Sequence, residues 1–278
     1  MHAFLLEPVV RAALLEDLAH GTDVTTDAIV DGEQRAVAHV VARSAGTMYG
    51  HECARAAFTL LDCGAEYTVH VPDGSQASAD QRVATISARA RAVLTAERTA
   101  LNFLCRLSGI ATATRALVDL VAGSPARVID TRKTTPGLRA LEKGAVLAGG
   151  GANHRFGLDD GVLIKDNHIA VAGSLPAAVA AVRKHAGHMV KIEVEVDTLQ
   201  QLREALELKI DAVLLDNMQP AALRDAVELV AGRIVTEASG GITPERIALI
   251  AATGVDLISV GWITHSAPAL DLGLDMAL

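Results

Sequence analysis

Two hydrophobic rhythms divide the chain. Before about position 90, short stretches rich in valine or alternating in polarity read as strands: Arg35–Arg43 (RAVAHVVAR), Tyr67–Val71 (YTVHV) and Val83–Ser87 (VATIS). His51–Leu61 carries apolar residues at helical spacing between them, so this part reads as a small α+β unit. From about Ala90 to Val121 one long helical pattern follows, with Leu94, Leu101, Leu104, Leu107, Leu117 and Leu120 on its repeat. Gly109 lies in its middle and is expected to kink or break the helix. The domain boundary is expected on this segment, giving an amino-terminal domain over 1–108 and a second over 109–268.

Beyond the long helix, short apolar runs alternate with helical patterns. The expected strands are Arg127–Asp130, Val162–Lys165, Val190–Val196, Ala212–Asp216, Arg233–Glu237 and Leu257–Val260; helices such as Ser174–Lys184 and Thr198–Leu208 separate them. Strands joined through helices imply parallel pairing with right-handed crossovers. Six or seven such units favour an α/β barrel. An open sheet stays possible, although no glycine fingerprint of the dinucleotide-binding kind follows any strand.

Composition narrows the class. Half of the 278 residues are hydrophobic and only 3% aromatic, so the core must be aliphatic. The formal charge is −8, which leaves no global attraction to nucleic acid; an anionic ligand must be held by a local cluster of cations. Three cysteines form neither a disulfide framework nor a metal-site spacing. The first residues, MHAFLLEPVVRAALLEDL, read as an amphipathic helix without the basic start of a signal peptide, and no run approaches a membrane span. A cytoplasmic protein with no membrane partner is expected.

Polar residues collect just after the strands, on the face that carries the active site in α/β barrels. Thr131, Arg132 and Lys133 follow the first barrel strand; Lys165 ends the second; Glu193 and Glu195 lie in the third. Asp216 and Asn217 end the fourth, Ser239-Gly240-Gly241 follow the fifth, and Gly261 follows the sixth. With Arg98, Arg139, His154 and Arg155 the cations form a set suited to carboxylates and phosphates. Glu195 and Asp216, with Glu193 and Asp166 as outer candidates, suggest Mg²⁺ near a diphosphate or stabilisation of positive charge on a sugar ring. Glu193 is equally open to an ion pair with a barrel Lys or Arg. The glycine turn at 239–241, with Thr243 as N-cap and Pro244 opening a helix, can present backbone N–H groups to a phosphate. A Schiff-base aldolase using Lys165 or Lys133, and a non-catalytic binding barrel, are the rival readings.

The segments AERTALNFLCRLSGIAT from Ala96, DTRKTTPGLRALEK from Asp130, GGGANHRFGLDDGVLIKDNHI from Gly149, EVEV from Glu193, LLDNM from Leu214, EASGGI from Glu237 and the closing ISVGWITHSAPALDLGLD resemble the quinolinate phosphoribosyltransferase family across nearly the whole chain. The resemblance implies an amino-terminal α/β sandwich domain, an incomplete α/β barrel, and a tail (269–278) that returns to the amino-terminal domain. It implies transfer of phosphoribosyl from phosphoribosyl pyrophosphate to quinolinate with decarboxylation, yielding nicotinate mononucleotide for NAD biosynthesis. It further implies a homodimer with shared sites. Arg98 from the partner, with Arg132, Lys133, His154, Arg155 and Lys165, would hold the two substrates. Glu195 and Asp216 would face ribose and Mg²⁺, and Ser239–Gly241 with Val260–Gly261 would hold the 5-phosphate. Thr131 belongs to the same substrate-binding set, and Lys133 and Lys165 are expected beside Glu195 and Asp216 among the catalytic groups. One departure is Gly144, where the family commonly carries an aromatic residue.

Overall fold

The computed structural model describes residues 3–19 and 21–277. In chain order the elements are α1 (Ala3–Asp17), α2 (Val24–Ile29), β1 (Arg35–Ala42), β2 (Gly46–Thr47), α3 (His51–Leu61), β3 (Glu66–Val69), β4 (Gln76–Ala77), β5 (Arg82–Arg89) and α4 (Ala90–Leu120). There follow β6 (Arg127–Ile129), α5 (Arg139–Ala148), β7 (Val162–Ile164), α6 (Asp166–Ala172), α7 (Leu175–His185), β8 (Ile192–Val196), α8 (Leu199–Leu206) and β9 (Ala212–Asp216). The last are α9 (Pro220–Val230), β10 (Val235–Ser239), α10 (Pro244–Ala251), β11 (Leu257–Ser259), α11 (Trp262–His265) and β12 (Leu272–Ala277). No helix among the described residues is long and apolar enough to cross a membrane.

The chain forms two compact units. The first takes the chain up to Arg115, then Thr134–Gly150, then Ile263 onward; the second takes Ala116–Lys133 and Gly151–Trp262. Within the first, β12, β1, β5 and β3 form an antiparallel sheet in that order, with the tail strand β12 lying along β1 from Val37↔Ala277 to Ala42↔Leu272. Inward positions of β1 and β5 alternate as a half-buried strand requires, with Ala38, Val40 and Ala42 buried on β1 and Ala84, Ile86 and Ala88 on β5. Leu6, Val10 and Leu14 of α1 recur every four residues and are all buried, which is the apolar stripe of an amphipathic helix.

Contrary to the expected break at Gly109, α4 runs unbroken for 31 residues. A Cβ at Gly109 would collide with the backbone carbonyl of Pro268, so the glycine serves a close approach of the tail segment. Gly144 behaves alike. It lies inside α5, where a Cβ would collide with the Tyr49 hydroxyl, so a ring from elsewhere in the same unit fills that space. Helix propensity alone says that Gly109→Ala should gain about 1 kcal/mol. Overpacking against a backbone atom costs about 1–3 kcal/mol, and a lowered Tm is therefore expected. A raised Tm in thermal denaturation would show that the tail yields freely.

The second unit holds six strands in the order β6-β11-β10-β9-β8-β7, every pair parallel. The last strand of the series, β11, pairs with the first, β6. With the inward residues of β8, β9 and β10 lining shared cavities, this order fits an incomplete barrel whose edges are β6 and β7. The seam lies between β6 and β7, where the described residues add a single parallel bridge from Ile129 to Ala152. The architecture is thus an incomplete α/β barrel of six strands. Outer helices are set by ordinary start signals. Thr198 and Gln201 form a capping box on α8, and Pro220 and Pro244 open α9 and α10. Val194, Val213 and Leu215, none more than 1% exposed, are among the aliphatic side chains buried on the strands. Each such burial contributes about 1.5–3 kcal/mol.

Candidate active site

Side chains two apart on a strand share a face, and three neighbouring strands use that rule to line one interior. Glu193 and Glu195 of β8, Leu214 and Asp216 of β9, and Glu237 and Ser239 of β10 all border cavities of the barrel. Register levels them: Glu195 pairs with Leu214, which pairs with Glu237, and Asp216 pairs with Ser239. Toward the carboxyl ends of the strands these residues border a cavity of about 560 Å³.

That cavity gathers most of the residues singled out in the sequence. Thr131, Arg132 and Lys133 reach it from the turn after β6. His154 and Arg155 come from the segment before β7, and Lys165 from the start of α6. Glu195, Asp216, Ser239, Gly240 and Gly241 complete the set. Asp166 is instead exposed at the first turn of α6 and is not on the cavity wall. Arg98 and Arg139 belong to the first unit; Arg98 is exposed on α4, and the Arg139 guanidinium donates to Thr134 Oγ1 at 3.0 Å. The Val260 N–H donates to the Ile129 carbonyl at 2.9 Å, so it is a sheet donor rather than a free phosphate ligand, and neither Val260 nor Gly261 borders the cavity.

Local bonds explain why the chain holds this shape. Asp130, fully buried after β6, accepts from the His154 N–H at 2.9 Å and from Asn153 Nδ2 at 2.6 Å. One carboxylate thereby fixes the backbone that presents His154 and Arg155. Arg155 Nη1 donates to the Gly161 carbonyl at 2.9 Å, while Asp160 closes the loop by accepting from the N–H groups of Phe156 and Gly157. Burial, followed by the charge of Arg132, lowers the Arg155 pKa from its very high ordinary value. Two like charges held together in a partly buried place call for an anion between them. Lys165 Nζ donates to Glu195 Oε2 at 2.6 Å, a charge-assisted bond.

The glycine turn after β10 has the backbone that only glycine adopts readily. Gly240 and Gly241 have φ of 93° and 59°, and a Cβ on Gly240 would strike the Asn217 side chain. Asn217 itself is left-handed, with φ of 55°, and its Nδ2 donates to Asp216 Oδ2 at 2.6 Å. Glu195 and Asp216 are oxygen donors on adjacent strands in one cavity, a donor set that fits Mg²⁺.

Glu237 was not picked out as a site residue from sequence. It is 1% exposed, and its Oε1 is a buried atom with no hydrogen-bond partner. With His154 and Arg155 it borders both the upper cavity and a second one of about 430 Å³. Among the described residues Glu193 pairs with His154, at 3.1 Å from Nε2, where the sequence left a Lys or Arg partner open. Ligand atoms of His154, Glu193 and Glu237 lie within 4.8 Å of one another, a spacing compatible with a metal ion as well as with shared protons. Burial tends to lower the His154 pKa, but the Glu193 hydrogen bond and the charges of Glu237 and Glu193 outweigh it and the net shift is upward.

Burial, reinforced by the Glu193 charge, pushes the Glu237 carboxyl up to about 8. The folded state therefore keeps a proton that the unfolded chain loses near the ordinary value of 4.5. Stability linked to this proton is full below that value and is lost as pH rises toward about 8. The slope approaches about 1.4 kcal/mol per pH unit for one proton. Glu237→Gln is expected to flatten the fall of Tm between pH 5.5 and 8; an unchanged slope would show that this carboxyl does not titrate as a buried acid.

Residues 23–108 match the family model "Quinolinate phosphoribosyl transferase, N-terminal domain", and residues 110–275 match "Quinolinate phosphoribosyl transferase, C-terminal domain". The chain is 45% identical over 278 residues to a probable nicotinate-nucleotide pyrophosphorylase [carboxylating] of Bacillus subtilis, covering 100% of this chain and 96% of that one. It is 45% identical over 275 residues to the nicotinate-nucleotide pyrophosphorylase [carboxylating] of Mycobacterium leprae, covering 96% and 95%. The solved nicotinate-nucleotide pyrophosphorylase of Francisella tularensis superposes with a TM-score of 0.95 at 38% identity, covering 100% of this chain and 98% of that one.

Proposed function

Because this chain belongs to the quinolinate phosphoribosyltransferase family, we propose that the cavity at the carboxyl ends of β6–β11 is where it carries out the family reaction. The protein is a decarboxylating phosphoribosyltransferase of NAD biosynthesis. It transfers phosphoribosyl from phosphoribosyl pyrophosphate to quinolinate and forms nicotinate mononucleotide, pyrophosphate and carbon dioxide. The observation that carries the assignment of the site is the meeting of Arg132, Lys133, Arg155 and Lys165 with Glu195, Asp216 and a glycine turn in one cavity.

The division of labour follows from charge. Arg132, Arg155 and His154 suit the two carboxylates of quinolinate, since the arginine fork matches a carboxylate. Ser239, Gly240 and Gly241 suit the 5-phosphate, because a glycine turn at the start of α10 offers backbone N–H donors. The pyridine nitrogen attacks the anomeric carbon as the bond to pyrophosphate breaks. Glu195 and Asp216 stabilise the positive charge that develops on the ribose ring. The bond from the ring to the carboxylate beside nitrogen then breaks, carbon dioxide leaves with the electron pair remaining on that ring carbon next to the positive nitrogen, and the carbon takes up a proton from water to give nicotinate mononucleotide. Lys133 and Lys165 are the cations nearest in role to this charge. Glu195 and Asp216 would hold Mg²⁺, which when bound neutralises the leaving pyrophosphate.

The ion pair between Lys165 and Glu195 speaks against a Schiff-base aldolase, which needs a neutral amine. The direct test is carbon dioxide release from quinolinate with phosphoribosyl pyrophosphate, with and without Mg²⁺. Loss of turnover in chelator and its return with Mg²⁺ support the reading, and release without the metal removes Mg²⁺ from it.

A homodimer with shared sites is part of this reading, with Arg98 serving the partner's cavity. It is supported by the exposure of Arg98 on α4. Mixing inactive Arg98→Ala with inactive Arg155→Ala subunits is then expected to restore activity, since one site of the mixed dimer carries neither defect. No recovery in a verified heterodimer would mean that each site is built from one chain.

A further inference from the structure

We propose that Glu237 is a positioning residue, which through Glu193 holds the His154 ring, and with it Arg155, in the orientation that receives quinolinate. The proposal rests on the assignment of the cavity to quinolinate given above. His154 is held from both ring nitrogens. Nδ1 accepts the Arg155 N–H at 2.6 Å, so the ring proton belongs on Nε2. Nε2 lies 3.1 Å from Glu193 Oε2 and 3.5 Å from Glu237 Oε2, which makes the two carboxyl groups the acceptors of that proton.

Glu193 is the centre of this arrangement and Glu237 its outer support. Both are buried, at 8% and 1% exposure. Two adjacent carboxylates with one imidazole leave an excess of negative charge in a place with little water, and such a pair is held by a proton between them. A Glu237 carboxyl that carries this proton donates to Glu193, and the Glu193 carboxylate then accepts from Glu237 on one side and from His154 on the other. The upward shift of the Glu237 pKa to about 8 agrees with a carboxyl that keeps its proton. The His154 backbone does not depend on this arrangement, because Asp130 separately fixes its N–H. What depends on it is the ring angle. Because the Arg155 amide is tied to the ring, a rotated ring also releases the backbone that carries the guanidinium.

Glu237 Oε1 is buried without a hydrogen-bond partner, so replacing the side chain by an apolar one of like volume removes an unpaired polar atom and need not lower stability. This separates positioning from packing. Glu237→Leu is expected to match or exceed the wild-type Tm at pH 7.5, yet to raise the quinolinate KM at least about tenfold. The KM for phosphoribosyl pyrophosphate should stay within about threefold. Glu237→Gln, whose amide N–H donates to Glu193 as the protonated acid does, is expected to bring the quinolinate KM back to within about threefold of wild type.

Nitrogen-15 ring spectra of histidine-labelled protein supply a readout that needs no turnover. His154 is expected as the Nε2–H tautomer in wild type and in Glu237→Gln, with shifted ring resonances in Glu237→Leu. Wild-type quinolinate KM in the leucine variant, equal KM in the leucine and glutamine variants, or identical ring spectra in all three would overturn the proposal. Failure of the wild-type protein to turn over quinolinate would instead overturn the assignment of the cavity, and the ring spectra would still decide whether Glu237 orients His154.

Discussion

Glu195→Ala and Asp216→Ala are each expected to lower kcat by about 10²–10³-fold while changing the affinity for quinolinate far less. Both carboxylates stand at the mouth of the barrel, on β8 and β9, where a ribose held by the glycine turn after β10 would lie within reach. A preorganised charge aimed at a developing cation is worth about 3 kcal/mol in the transition state and little in the ground state. The two variants should differ in one respect. Glu195 accepts from Lys165 at 2.6 Å, so its removal also leaves a cation without its partner in the cavity. Glu195→Ala is therefore expected to disturb binding of the anionic substrates more than Asp216→Ala does. Steady-state kinetics in both substrates separate these effects, and a kcat near wild type in both variants would exclude the two carboxylates from the chemistry.

The second large effect concerns the choice of acid. Quinolinate is expected to be used, and nicotinate to be used about 10⁴-fold less well in kcat/KM. Arg132 and Arg155 lie close enough for one charge to depress the pKa of the other, and Lys133, Lys165 and His154 border the same space. Nicotinate brings one carboxylate where quinolinate brings two. A monoacid would leave a desolvated cation unpaired, and a site built for a polar group rejects a ligand lacking it by a factor of about 10⁴–10⁵. The missing carboxylate is also the one whose departure drives the reaction forward. Arg155→Gln should harm quinolinate more than nicotinate and so narrow the preference. Comparable wild-type values of kcat/KM for the two acids, at fixed phosphoribosyl pyrophosphate and Mg²⁺, would contradict the substrate assignment.

Much of the site was legible because its residues follow strands that announce themselves. The run AVLLD predicts a strand over Ala212–Asp216, and β9 has those bounds; the acid at its end borders the cavity. Lys165 and Glu195 were reached by the same reasoning, and they meet as an ion pair. Glu237 is hidden in the sequence by the register of its strand. The sequence places the fifth barrel strand at Arg233–Glu237, but β10 runs Val235–Ser239. With the strand set two residues early, Glu237 reads as its end rather than as an interior position. A parity argument would have found it, because Glu237 and Ser239 stand two apart as do Glu193 and Glu195.

Other features were beyond the reach of local pattern. Gly109 reads as a helix breaker because propensity knows only its own helix; the close carbonyl of Pro268 lies 159 positions along the chain. The resemblance gives the Val260–Gly261 turn to the 5-phosphate, whereas the Val260 amide is taken by the Ile129 carbonyl. The stretch Thr134–Gly150 falls between two barrel strands in sequence, yet it groups with the first unit.

Sequence by itself marked the strand–helix alternation of the second half, the aliphatic core, and the placement of charge and glycine after successive strands. These depend on the period of apolar positions and on turn chemistry, both of which act over a few residues. It left a barrel and an open sheet both standing, and it left the partner of Glu193 undecided. Only the tertiary structure chose between them, by pairing β11 with β6 and by bringing Glu193 and Glu237 to His154. Those contacts join residues far apart in the chain, and parallel pairing is set by which faces can be buried together, a condition that no local stretch carries alone.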